Sequence, residues 1–285
     1  TVLAACVGVV AASVTTMAVI AAPTMLKRGY DKELVSGSIC AGGTLGILIP
    51  PSIMLVIYGP MAQISVGKLF MAAFMPGFLL SALYITYIII RCITKPQVAP
   101  LPSEEERQVS FGTKVVALTK GLLPPLFIIA AVLGSIFFGI AAPTEAAAVG
   151  SVAATLLAVA YRRFNLELLR NTSRDTLRIG AMAMAVGLGA SMFTGVFLRL
   201  GGGEAVSNLL MSAPGGKWGI FGLTMFIIFI LGMFIDWLGI LFVMIPLVSP
   251  IGEALGFDPL WFAMMICINL QMSFLTPPFA YAIFY

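Results

Sequence analysis

Three glycines and two prolines fall within eleven residues, Gly42-Gly43-Thr44-Leu45-Gly46-Ile47-Leu48-Ile49-Pro50-Pro51-Ser52. The stretch lies inside an apolar run from Leu34 to Tyr58 that is long enough to cross a bilayer. Pro50 and Pro51 each lack an N–H, and the glycines weaken the helical backbone further. In hydrocarbon, unwound backbone survives only where protein or a water-filled cavity surrounds it. The expectation is a broken membrane helix whose released amides and carbonyls face a ligand.

The rest of the chain fits that setting. It is 60% hydrophobic and 10% charged, with a mean hydropathy of +1.06. Several apolar runs exceed the roughly 20 residues that span hydrocarbon, and the alternating strands of a membrane β-barrel are absent. This is the pattern of an all-α polytopic membrane protein. The net charge of +4 lies in loops, so it speaks to orientation and not to nucleic acid. Cys6, Cys40, Cys92 and Cys267 show neither metal spacing nor a disulfide framework, and there is no histidine. The chain begins without Met and ends at Tyr285 within an apolar run, so we read it as a piece of a longer polypeptide.

Taken in order, residues 1–26 are apolar with a polar patch at Ser13, Thr15 and Thr16, followed by the basic loop Lys27–Lys32. Spanning segments are expected at 69–90, 121–140, 144–161 and 179–200, with a solvated linker at 92–120 and a Gly-rich turn at 201–217. Four parts follow: 1–58, 59–120, 121–217 and 218–285. Arg162, Arg163, Arg170, Arg174 and Arg178 form the strongest basic cluster. The positive-inside rule makes it cytoplasmic, where anionic membrane lipid is its natural neighbour. Counting crossings from there places Lys27–Lys32 inside and Pro250–Asp258 outside. The inner loop carries three bases; the outer carries Glu253 and Asp258 and no base.

Pro50-Pro51 recurs 227 residues later as Pro277-Pro278. The same offset, without a gap, maps Pro23, Gly29 and Asp31 onto Pro250, Gly256 and Asp258, Cys40 onto Cys267 and Tyr58 onto Tyr285. Apolar matches between greasy segments are cheap; this register of Pro, Gly and Asp is not. With one loop inside and its counterpart outside, the copies are inverted repeats, the design in which secondary transporters place discontinuous helices and midplane sites. Residues 218–249, too long for one crossing and short for two, predict a re-entrant hairpin with its tip near Asp236–Ile240. The equivalent tip falls at Val9–Ser13.

Asp236 is an acid at membrane depth, expected either to serve a functional site or to cap the tip. Asn269, Ser273 and Thr276 precede Pro277, while Thr44 and Ser52 flank the first double proline. Such hydroxyls either bond back to their own helix or meet a ligand. Carbonyls of an unwound turn, with nearby hydroxyl or amide oxygens, suit a hard cation such as Na⁺. The expected cation ligands are Gly42, Thr44, Gly46, Asp236, Asn269 and Thr276. Ser13, Thr15, Pro51, Ser52, Ser273 and Pro278 are the expected substrate contacts. Half-helix N-termini offer N–H groups to a carboxylate, and with no buried Lys or Arg an organic anion would lean on dipoles and co-bound cations. Proton coupling is less attractive, because His is absent and interior carboxylates are few.

GGTLGILIPPSIMLVIYG (Gly42–Gly59), PTMLKRGYD (Pro23–Asp31), VGKLFMAAFMPG (Val66–Gly77), PTEAAAVG (Pro143–Gly150), LGMFID (Leu231–Asp236) and the stretch Leu255–Phe284 resemble the large membrane subunit of tripartite ATP-independent periplasmic (TRAP) transporters. The ending LTPPFAYAIFY is similar to a branch labelled for mannitol or chloroaromatic compounds. The resemblance implies a Na⁺-driven importer of organic acids in the bacterial inner membrane. It also implies a periplasmic substrate-binding protein, a small four-helix membrane subunit and an elevator-type transport domain. Carried over, the hairpin tips are Gly8–Thr15 and Gly232–Gly239, and the broken helices Gly42–Ser52 and Asn269–Pro278. Three alternatives stand beside it: a stand-alone cation-coupled anion symporter of related fold, an intramembrane enzyme and a channel. The enzyme lacks a His for the usual nucleophile–base set, and a channel calls for pore rings.

Overall fold

A computed structural model describes residues 2–101, 110–278 and 280–284. The acids Glu104–Glu106 of the expected linker and the repeat residue Tyr285 lie outside that set. Thirteen α-helices are described: α1 (Val2–Val7), α2 (Val10–Lys27), α3 (Lys32–Thr44), α4 (Ile53–Met61), α5 (Val66–Thr94), α6 (Phe111–Phe137), α7 (Pro143–Ala160), α8 (Leu166–Arg199), α9 (Gly202–Met211), α10 (Gly216–Gly232), α11 (Trp237–Ala254), α12 (Pro259–Ser273) and α13 (Tyr281–Phe284). A 3₁₀ turn, Leu45–Ile47, closes α3. Among the described residues six helices are long and apolar enough to cross a membrane: α2, α5, α6, α7, α8 and α11.

The 227-residue offset reappears in the element boundaries. It carries both ends of α2 onto both ends of α11, and the start of α3 onto the start of α12. Asp31 caps α3 by accepting from the amides of Glu33 and Leu34, and Asp258 caps α12 by accepting from Trp261. Gly29 and Gly256 precede these caps with φ of +79° and +74°, a left-handed turn that glycine adopts without a Cβ penalty. Both double-proline bonds are cis.

The chain divides into two units. The first gathers residues 1–53, 73–154 and 281–285. In it α1, α2, α3 and the 3₁₀ turn pack on one another, α6 packs on α1, and α13 on α2 and α3. Ala5, Leu45 and Ile49 are buried together, with Leu80, Tyr84 and Ile129 against them. The second unit holds residues 54–72 and 155–280. There α11 lies against α8, α9, α10 and α12, and it is 56% buried, against 6–17% for the other five candidate spans. That contrast separates one helix enclosed by the rest of the chain from five whose sides the described residues leave largely uncovered. Trp218, Phe221, Phe257, Trp261 and Phe262 stack around the turn before α12, and the Lys217 Nζ lies 5.1 Å from the Phe257 ring. Aromatic rings beside a lysine suit the membrane–water boundary.

Three boundaries differ from the sequence expectation. Helix α6 begins at Phe111, so residues 111–120 are helical, with Lys114 and Lys120 interspersed among apolar residues. Long lysine stems tolerate that position by reaching toward water. Helix α8 begins at Leu166, capped by Asn165, and carries Arg170, Arg174 and Arg178 one turn apart. The basic cluster therefore lies mostly on a helix face, not in a loop. Residues 202–211 of the expected Gly-rich turn form α9.

Candidate functional site

In the first unit, the hairpin of α1 and α2 turns at Gly8-Val9, where Gly8 takes φ +67°. A Cβ on Gly8 would lie 3.1 Å from the carbonyl oxygen of Pro51. On Gly46 it would lie 2.3 Å from the Ala4 carbonyl oxygen, and on Gly43 2.4 Å from Val14 Cγ2. The glycines thus serve close approach of the hairpin to the broken segment, as small residues do between membrane helices. The break itself covers residues 48–52, since Leu48 and Ile49 still donate to the Leu45 carbonyl and α4 starts at Ile53. Gly42 and Thr44 lie in the last turn of α3, and Gly46 lies in the 3₁₀ turn.

The side chains expected to bind sit as follows. Ser13 is buried and donates to Val9 O at 2.7 Å, with Ala4 O at 3.5 Å. Ser52 is buried and donates to Ile47 O; fully buried Thr44 donates to Ala41 O at 2.9 Å. Ser13, Gly46, Pro51 and Ser52 are therefore gathered around the hairpin turn. Thr15 is exposed on α2 and bonds Ala11 O, so it stands apart.

The second unit repeats the arrangement with the residues exchanged. A Cβ on Gly232, at the end of α10, would lie 2.1 Å from Ser273 Oγ on α12. The offset pairs Gly232 with Ala5 and Ser273 with Gly46, so the glycine has moved from the broken helix to the hairpin. Ser273 donates to Leu270 O at 2.7 Å, and Asn269 Nδ2 donates to Met225 O of α10 at 2.6 Å. Thr276 is half-buried and donates to Met272 O at 2.9 Å, whereas Pro278 is exposed. Asp236 is half-buried at the hairpin tip and accepts from the Leu238 amide at 3.1 Å, capping α11.

Every one of these hydroxyls spends its proton on a backbone carbonyl. Each keeps lone pairs, so it can still coordinate a cation but cannot readily donate to an anion. Among the described residues no three His, Cys, Asp or Glu side chains come together as a metal cluster. One polar side chain that sequence reading passed over is Gln271. It is fully buried, and among the described residues neither its amide nitrogen nor its oxygen has a hydrogen-bond partner. The offset places it opposite Thr44, also fully buried. A polar residue between Asn269 and Ser273 in an apolar segment was the available signal.

Residues 1–285 match the family described as Tripartite ATP-independent periplasmic transporter, DctM component. The chain belongs to this family. It is 30% identical over 270 residues to the C4-dicarboxylate TRAP transporter large permease protein DctM of Pseudomonas aeruginosa, covering 94% of this chain and 61% of that protein. The sialic acid TRAP transporter large permease protein SiaM of Vibrio cholerae is 30% identical over 264 residues, 92% of this chain and 60% of its own length. The ectoine/5-hydroxyectoine large permease protein UehC of Ruegeria pomeroyi gives the same identity and coverage. The chain therefore spans about three-fifths of the length of these curated relatives. They are permease subunits and not enzymes, and with six candidate spans the protein is a multi-pass protein of the inner membrane. Three relatives named for different solutes at equal identity mean that identity does not choose the solute.

Proposed function

We propose that the protein is the large membrane subunit of a secondary transporter that imports an organic acid by Na⁺-coupled symport. A periplasmic binding protein delivers the substrate, and a small four-helix membrane subunit braces the moving domain. The observation that carries this reading is the pair of double-proline breaks, each held against a hairpin through a contact no larger side chain fits. The copies work as inverted repeats, and their re-entrant hairpins and discontinuous helices move together as an elevator-type domain.

Neutral oxygens suit Na⁺ at such breaks. At the first break the Thr44 lone pairs and the Gly42 and Gly46 carbonyls coordinate one ion; at the second the Asn269 carbonyl and the Thr276 lone pairs coordinate another, with Asp236 as the acid of that second set. Ser13, Pro51 and Ser52 are the contacts the first unit offers an organic anion, with Thr15 at the margin of that set, and Ser273 and Pro278 are those the second unit offers. Bound Na⁺ offsets the negative charge of a substrate that meets no buried Lys or Arg, which couples the two fluxes.

The test is uptake by the full-length protein, reconstituted with its small subunit and supplied with its binding protein. Uptake is expected to require a Na⁺ gradient and to weaken tenfold or more in Asp236→Ala and Thr276→Ala. Transport that proceeds without any binding protein would favour a stand-alone symporter. Na⁺ dependence unchanged in both variants would overturn the cation assignment.

A further inference from the structure

The first unit holds a cleft of about 530 Å³ away from the hairpin turn. Its walls are two helix faces. Leu34, Gly37, Ser38 and Ala41 come from α3, at one-turn spacing, and Leu80, Leu83, Tyr84, Tyr87, Ile88 and Arg91 from α5. Beyond Leu34 the α3 wall is made of small side chains, Gly37, Ser38 and Ala41. The Ser38 hydroxyl is turned onto its own helix at Leu34 O, so that wall offers little but hydrocarbon. Among the described residues a Cβ on Gly37 would meet nothing within 4 Å, so they leave the space beside it open.

One end of the cleft differs from the rest. Arg91 stands there with Asp31 and Glu33, and among the described residues no ion pair joins the arginine to either acid. The Asp31 carboxylate is held in place by the amides of Glu33 and Leu34, both at 3.1 Å. Its own amide donates to Val98 O, which ties this end to the polar segment after α5. From Leu80 to Arg91 the wall rises about 16 Å at 1.5 Å per residue. Half of a ~30 Å hydrocarbon core is about 15 Å. The apolar length of the cleft is thus one leaflet deep, and its charged end falls where headgroups lie.

We propose that the cleft is a binding site for one zwitterionic aminophospholipid of the leaflet that borders the Lys27–Lys32 loop. The Arg91 guanidinium takes the phosphate as a planar, multiple N–H donor. Asp31 and Glu33 receive the protonated amine. One acyl chain lies along Leu80–Ile88 over the small residues of α3. A purely anionic headgroup fits the mouth less well, because two carboxylates face its one arginine. The site is independent of the transport reading, since it uses neither hairpin turn nor break.

The full-length protein, reconstituted in vesicles of equal phosphatidylethanolamine and phosphatidylglycerol and then extracted, is examined by native mass spectrometry. Wild type is expected to retain one phosphatidylethanolamine in preference to phosphatidylglycerol. Gly37→Leu fills the open space and should cut that retention at least fivefold. Arg91→Gln should weaken retention of either lipid, whereas Glu33→Gln should narrow the headgroup preference. Equal retention in wild type and Gly37→Leu overturns the site. A photoreactive benzophenone side chain at Gly37 guards against a variant that fails for structural reasons: a lipid-mass adduct supports the proposal. An adduct to another stretch of the same chain or to a partner subunit, or no adduct, overturns it.

Discussion

At the scale of single residues, the membrane interior changes what a polar side chain means. With no water to turn to, each hydroxyl near the breaks has bonded a carbonyl of its own helix or hairpin, and the exception is an amide. Gln271 is buried with both polar atoms unpartnered among the described residues, which costs on the order of 1–3 kcal/mol relative to a satisfied or apolar group. Gln271→Leu is therefore expected to raise the thermal stability of the solubilised protein while lowering Na⁺-driven uptake. Higher stability with full uptake would make the amide a bystander. The Gly232–Ser273 contact gives a second prediction, because its residues are the equivalents of Ala5 and Gly46, and in the first copy the glycine is on the broken helix, against the carbonyl of Ala4 next to Ala5. Gly232→Ala should destabilise by about 1–3 kcal/mol through overpacking. Adding Ser273→Gly, which restores the order used in the first copy, should recover most of the loss in a melting experiment.

Helices are where periodicity spoke most clearly and boundaries least. Spans at α5, α7 and α8 were legible from hydropathy, and the Asp31 and Asp258 caps from an acid after a left-handed glycine turn. The extent of α8 was not, since three arginines within nine residues look like a loop until their one-turn spacing is considered. On a helix they form a single basic face that can lie against anionic headgroups, at about 1 kcal/mol each. The melting temperature of wild type in bilayers should rise with phosphatidylglycerol content. The triple variant Arg170→Gln, Arg174→Gln, Arg178→Gln should flatten that slope, and an unaltered slope would mean the face meets protein. The arms α10 and α11 likewise run longer than hydropathy alone implied, because Gly216 and Glu253 lie inside helices despite their low apolar content.

For the whole molecule, the decisive question is whether the two copies face opposite sides of the membrane. The offset of 227 residues relates helix boundaries, caps and double-proline breaks without reference to sidedness. In a cysteine-free background, Lys27→Cys and Glu253→Cys place thiols on exposed positions in the last turns of α2 and α11, beside the two equivalent loops. An impermeant maleimide is expected to label Glu253→Cys in whole cells and Lys27→Cys only after the membrane is opened. Labelling of both from one side would rule out inversion, and with it the inverted-repeat, elevator-type design proposed above.

Proline, glycine and aspartate act on the backbone next to them, so their positions in the chain alone determined where the helices break, where they are capped and that the pattern is repeated. Family membership follows from the same local residues. What a side chain touches across 40 residues or more is not local. That Gly46 and Gly232 admit a hairpin, that Asn269 is committed to Met225, that Gln271 has no partner among the described residues, and that α3 and α5 enclose a one-leaflet cleft were decided only by the tertiary packing. The breaks at Pro50-Pro51 and Pro277-Pro278 needed no fold to be seen; the groups gathered around them did.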